Sequence, residues 1–151
     1  MSNQFARNKN SKYIGPYIST WTLSADDPSG DTLSHSVSFD TIANDLLNGS
    51  IVLNTSTHTF TCQQAGTYVI NYDLRFAPSA VGDRQSYINF SGSQRGAFKV
   101  RATAAGNTIM SGTWIGWLNV GTPFNLVSVQ DSGGSLDITQ TGTSITIAHL
   151  G

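Results

Sequence analysis

The side chains able to do chemistry are few and scattered. His35, His58 and His149 are the only histidines, and none stands at metal-ligand spacing from another His or from Cys62, the single cysteine. All nine acids are Asp, so a glycosidase-type pair would have to be two aspartates, and no spacing singles out such a pair. No Gly-x-Ser-x-Gly elbow is present. The expectation is therefore a protein without catalytic residues and without a cofactor. "DDPSGD" is the densest run of carboxylates, and Asp26, Asp27 and Asp31 are its weak candidate ligands for calcium. It lacks the ordered spacing of a calcium loop, and a solvated turn is the favoured reading. Cys62 follows Phe60 and Thr61 and reads as a small buried hydrophobe. Asn-x-Ser sequons begin at Asn48, Asn54 and Asn89, and are read as unused. "GSQRGAFKVR" gathers Arg95, Lys99 and Arg101 around Phe98. It reads as a hairpin rather than an anion site.

Only 11% of the 151 residues are charged, and Ser, Thr, Asn and Gly are abundant. Such residues favour strands and turns over helices. Net charge is −1, which argues against nucleic acid as a partner. A lone cysteine allows no intrachain disulfide. No apolar N-terminal run marks a signal peptide and no segment reaches transmembrane length, so no membrane partner is expected. The expected route is synthesis in a cytoplasm, with any export by another route such as assembly into a particle or lysis.

Two regions emerge. Residues 1–14 form a polar arm in which Arg7, Lys9 and Lys12 are unopposed by acids and Phe5 and Tyr13 are isolated rings. It reads as a solvated tail or as a docking arm for an acidic surface. Residues 15–151 read as one domain of short strands. The clearest is "GTYVINYDLRF" (Gly66–Phe76), in which Tyr68, Ile70, Tyr72, Leu74 and Phe76 share one face. Further strands are expected over Tyr17–Leu23, Ser36–Phe39, Ile51–Asn54, His58–Cys62, Arg84–Ser91, Gly96–Thr103, Thr108–Val120, Phe124–Gln130, Ser135–Thr139 and Thr143–Leu150. Asp26–Asp31 and Ala77–Asp83 read as loops, and Ala43–Ser50 as a turn or one helical turn. This layout predicts an all-β, antiparallel sandwich.

One strand breaks the sandwich rule of apolar-in, polar-out. In "IMSGTWIGWL" one face carries Met110, Trp114 and Leu118, and the other carries Ile109, Ile115 and Trp117. A strand apolar on both faces needs a cover outside the core, either a loop of its own chain or another subunit. Trp114, Trp117, Met110 and Leu118, with Val69 from the long strand, are the candidate subunit-interface residues.

From "VSFD" (Val37–Asp40) through "FTCQQAGTY" (Phe60–Tyr68) to the C-terminus, the chain resembles the tumour-necrosis-factor/complement globular-head superfamily. The Phe60, Gly66, Tyr68 spacing carries the likeness, supported by "NVGTPFNLVSV" and a final apolar strand. The resemblance implies a ten-stranded jelly roll, assembled as a compact homotrimer whose inner sheets meet on the threefold axis. Gly66 would then allow a close backbone turn into the long strand. Neither a collagen stalk nor a membrane anchor is seen beside the head. A bare trimeric head with a basic arm suits a phage or viral structural protein: a capsid decoration, head-fibre or fibre-tip module. Its expected partners are its own copies and, through Phe5, Arg7, Lys9, Lys12 and Tyr13, a capsid or other virion protein. A soluble carbohydrate- or receptor-binding head is the alternative, with a host-surface glycan as partner.

Overall fold

The computed structural model describes residues 17–102 and 106–151. Thirteen strands and no helix occur among them. In chain order they are β1 (Tyr17–Thr22), β2 (Asp27–Ser29), β3 (His35–Ser36), β4 (Thr41–Asp45), β5 (Ile51–Asn54), β6 (Thr59–Cys62), β7 (Gly66–Phe76), β8 (Asp83–Phe90), β9 (Ser93–Arg101), β10 (Thr108–Leu118), β11 (Pro123–Gln130), β12 (Leu136–Ile138) and β13 (Ser144–His149).

They form two antiparallel sheets packed face to face as a jelly roll. The first runs β10–β7–β13–β1–β4, and beyond the end of β13 the short β12–β2 pair continues it from the tip of β7. The second runs β5–β6–β11–β8–β9, with β3 beside β6 on the same edge of β11. The first sheet is centred on β7 because that strand offers five apolar side chains to one face. Tyr68, Ile70, Tyr72, Leu74 and Phe76 are all buried, each contributing about 1.5–3 kcal/mol of apolar burial.

Phe60 on β6 joins the layers. Its ring stacks on Phe124 of β11 at 5.3 Å and meets the edge of Trp21 of β1 at 5.1 Å. From Phe124 the aromatic chain continues through Phe90 to Trp114 of β10, at 5.4 and 4.7 Å. Polar groups reach into the core, and only some are paired: Trp21 Nε1 and Arg84 Nε and Nη2 are buried without a hydrogen-bond partner among the described residues. The Tyr72 hydroxyl lies 2.9 Å from Ser86 Oγ on the opposite sheet. Arg84 is fully buried, with Nη1 donating to the carbonyls of Val81 and Asp83 and its guanidinium 5.7 Å from the Phe76 ring centre. Cys62 is buried, and its thiol donates to the Gln64 carbonyl.

Several boundaries differ from the sequence reading. Ala43–Ser50 is not helical: Thr41–Asp45 is an extended edge strand on β1, followed by a turn. Part of the Asp26–Asp31 loop is strand, because Asp27–Ser29 pairs with Leu136–Ile138. Pro28 is tolerated there because β2 is an edge. The β8–β9 hairpin turns on Ser91 and Gly92 rather than on residues 92–95. Both have positive φ, 49° and 91°, as a two-residue type I′ turn requires.

Candidate assembly face

The outward face of the first sheet is built by register. Along β10, Ile109, Ser111, Thr113, Ile115 and Trp117 point away from the core, and they pair with Arg75, Asp73, Asn71, Val69 and Thr67 of β7. Next to β7, β13 sets Ser144, Thr146 and Ala148 opposite Asp73, Asn71 and Val69. β1 then sets Thr22, Thr20 and Ile18 opposite those three. Three rows therefore cross four strands. One is apolar: Ile18, Ala148, Val69, Ile115. The other two are polar: Thr20, Thr146, Asn71, Thr113 and Thr22, Ser144, Asp73, Ser111.

The polar rows are tied along the sheet surface. Thr113 Oγ1 donates to Asn71 Oδ1 at 2.7 Å, Ser111 Oγ donates to Asp73, and the Thr20 and Thr146 hydroxyls are 3.0 Å apart. The apolar row is half-buried at Ile18, Ala148 and Val69 and open at Ile115. Ile115 is 63% exposed, Trp117 beside it 61%, and Ile109 at the far end of β10 61%. Trp117 Nε1 donates to Asn119 Oδ1, so its one polar atom is paired while the ring stays uncovered. Three large apolar side chains on one strand face are what a partner surface would cover.

Three of the proposed interface residues are corrected by this geometry. Met110 and Leu118 are 1% and 2% exposed and belong to the core. Trp114 shares their parity: it is half-buried, packs on the core and lies against Phe90. Trp117 and Val69 face outward, joined by Ile109 and Ile115. Ile18 and Ala148 were not singled out from sequence, because each is an ordinary strand residue until β1 and β13 are placed in register. The arm candidates Phe5, Arg7, Lys9, Lys12 and Tyr13 lie outside the described residues.

The weak calcium candidates do not converge. Asp26 accepts the Gln140 amide at 2.7 Å, and Asp31 accepts the Gly133 amide at 3.0 Å. Asp27 accepts the Ser38 amide at 2.8 Å and lies 2.9 Å from His35 Nε2. Burial would push the Asp27 carboxyl up, but the His35 and Ser38 hydrogen bonds outweigh it and hold it below the usual carboxylate range. Its carboxylate thus serves as an internal clamp. Among the described residues no three His, Cys or Asp side chains group as a metal site.

His149 lies at the end of β13, buried, with its ring stacked on Tyr68 at 4.5 Å. Its Nε2 has no hydrogen-bond partner among the described residues. It also explains Gly66, which has no positive φ and makes no tight turn. A Cβ at Gly66 would sit 2.1 Å from His149 Nε2, so the glycine is needed because the imidazole occupies that space. Burial pushes the His149 pKa below the ordinary value of 6.5. The unfolded chain therefore binds a proton near that pH before the folded one does. Stability from this group is present above about 6.5 and falls as pH drops below it. The melting temperature should decline from pH 7.5 to 5.5, and His149→Phe should flatten that decline. Parallel profiles for the two proteins would assign the dependence elsewhere.

No protein-family model matches the chain, and no curated protein matches it either. Solved structures do. Murine APRIL superposes with a TM-score of 0.62 at 10% identity, over 90% of this chain and 100% of that one. The globular domain of zebrafish complement 1qA gives 0.59 at 14% identity, over 90% and 97%. The Eiger TNF of S. frugiperda gives 0.57 at 11% identity, over 90% and 93%. The fold is the jelly roll of the tumour-necrosis-factor and complement globular-head type.

Proposed function

We propose that this jelly-roll head of the tumour-necrosis-factor and complement type assembles as a homotrimer through the β10–β7–β13–β1 face. In this reading it is a non-catalytic structural module of a larger particle. The observation that carries the assembly is the exposed trio Ile109, Ile115 and Trp117 on one face of β10, beside the half-buried Val69, Ala148 and Ile18. Threefold symmetry is what the fold likeness suggests. Sedimentation of the purified protein should give a species of three times the chain mass, and a stable monomer at micromolar concentration would overturn the reading.

The finer proposal is a virion component, a capsid decoration or a head-fibre or fibre-tip module, made in the host cytoplasm. Residues 1–14 would anchor it to a capsid or other virion protein. Support comes from the unopposed Arg7, Lys9 and Lys12 beside Phe5 and Tyr13, a mix of charge and rings suited to an interface. Deleting residues 1–14 should leave melting temperature and oligomeric state nearly unchanged and abolish particle binding. Binding of the intact protein should weaken with added salt, as exposed charge pairs do. A truncated protein that still decorates particles would defeat the anchor. A second reading, a glycan- or receptor-binding head, is favoured by the second sheet's outer surface.

A further inference from the structure

The second sheet faces away from the proposed assembly face and carries a groove of about 310 Å³. Its floor is set by register. Asn125 of β11 lies opposite Asn89 of β8, and Asn89 opposite Gln94 of β9, so three amides stand in one row across three strands. In the next row Val127 of β11 separates Ser36 of β3 from Tyr87 of β8. The segment ahead of β3 forms a wall, with Ser34 Oγ 3.4 Å from the Tyr87 hydroxyl. The tight β8–β9 turn brings Gly92 to the rim.

The groove's side chains are held before any ligand arrives. Asn89 Nδ2 donates to Asn125 Oδ1 at 3.1 Å, and Asn125 Nδ2 donates to Ser36 Oγ. Asn89 Oδ1 accepts the Gly92 amide at 2.9 Å. Such a network fixes rotamers, and less ordering is then needed on binding. It also leaves capacity unused. The Gln94 amide is exposed and has no partner among the described residues, and each hydroxyl retains a free donor or lone pair.

No charged side chain lines the groove. Arg95, next to Gln94, is in register with the core-facing Ile88 rather than with the groove row, and Lys99, farther along β9, is engaged with Asp83 at 2.8 Å. A phosphate or carboxylate ligand would find no counter-charge here, and an apolar ligand would leave the amides unpaired, which is costly. A neutral polyol suits the site, because each of its hydroxyls both donates and accepts, as the lining groups do.

We propose that this groove binds a neutral saccharide unit. The site lies within one protomer and does not depend on the assembly proposed above. Assembly would add only avidity, by displaying three copies. The test is a titration of the isotope-labelled full chain with methyl glycosides of glucose, galactose, mannose and N-acetylglucosamine, alongside sialic acid as an anionic comparator. At least one neutral glycoside should shift the side-chain amide signals of Asn89, Gln94 and Asn125 at millimolar concentration. Gln94→Ala, which removes an exposed side chain without a partner, should weaken that binding about tenfold, the loss of one good hydrogen bond. Trp117→Ala should leave it unchanged even if it dissociates the oligomer. The proposal is overturned if no neutral glycoside moves these signals, if sialic acid alone does, or if Gln94→Ala binds like the parent.

Discussion

Gly66→Val should abolish the native thermal transition or lower its midpoint steeply. The new side chain would begin 2.1 Å from His149 Nε2 and 2.9 Å from Cδ2, distances that no packed pair of atoms adopts. Relief would require the imidazole to move. It is stacked on Tyr68, however, and its strand is hydrogen-bonded to β7 on one side and β1 on the other. Overpacking of this kind costs about 1–3 kcal/mol even where neighbours can adjust, and losing the ring stack adds about 0.5–1.5 kcal/mol. Against a total stability of about 5–15 kcal/mol, that is a large fraction. A double variant, Gly66→Ala with His149→Ala, should recover much of the loss suffered by Gly66→Ala alone, because the two sites compete for one volume. Cys62→Ser is the contrasting control, since a serine hydroxyl retains the bond to Gln64, and its cost should be modest. If Gly66→Val melts like the parent, the imidazole does not occupy that space.

Trp117→Ala should dissociate the oligomer while leaving the protomer folded. A buried aromatic anchor at an interface is worth on the order of 2 kcal/mol or more, and in a trimer the loss is felt at each of three contacts. The informative comparison is Trp114→Ala, three residues away on the opposite face. That change empties space beside Phe90 and should lower the melting temperature of the protomer itself. Sedimentation over a range of concentrations, read with circular dichroism, separates the two outcomes. Were Trp117→Ala to remain trimeric at the same concentrations as the parent, the contact surface would lie off this face.

The two predictions differ in how far sequence alone could carry them. Strict alternation in Gly66–Phe76 was enough to place five side chains in the core, because a strand has only two faces. The two-sided apolar pattern of β10 likewise placed large side chains on both of its faces, and on the second face Ile109, Ile115 and Trp117 are exposed. Assigning Met110 and Leu118 to that face was an error of pooling both parities into one list. Other features were invisible for physical reasons. β4, "TIAND", is exposed along its length and owes its extended form to pairing with β1 rather than to its own pattern. Arg84 reads as a solvated charge until Ser86 and Ile88, of the same parity, are seen to point inward with it. The row Ile18, Ala148, Val69, Ile115 and the amide row of the groove exist only once separate strands are aligned. No local signal in the chain specifies that alignment.

The position of β13 has a consequence for how the molecule is made. It is late in the chain yet lies inside the first sheet, between β7 and β1, and 126 residues separate Thr20 from Thr146, whose hydroxyls it brings together. A nascent chain emerging from the ribosome therefore cannot close this sheet until β13, more than a hundred residues after β1, has been synthesised. Until then β1 and β7 each hold an unpaired edge flanked by buried-type side chains, and closing the gap requires contacts of very long sequence separation, which form slowly. During that interval those unpaired edges are open to a β13 from a neighbouring copy. Synthesis rate and local concentration, more than final stability, should then govern how much correctly closed protein a cell obtains.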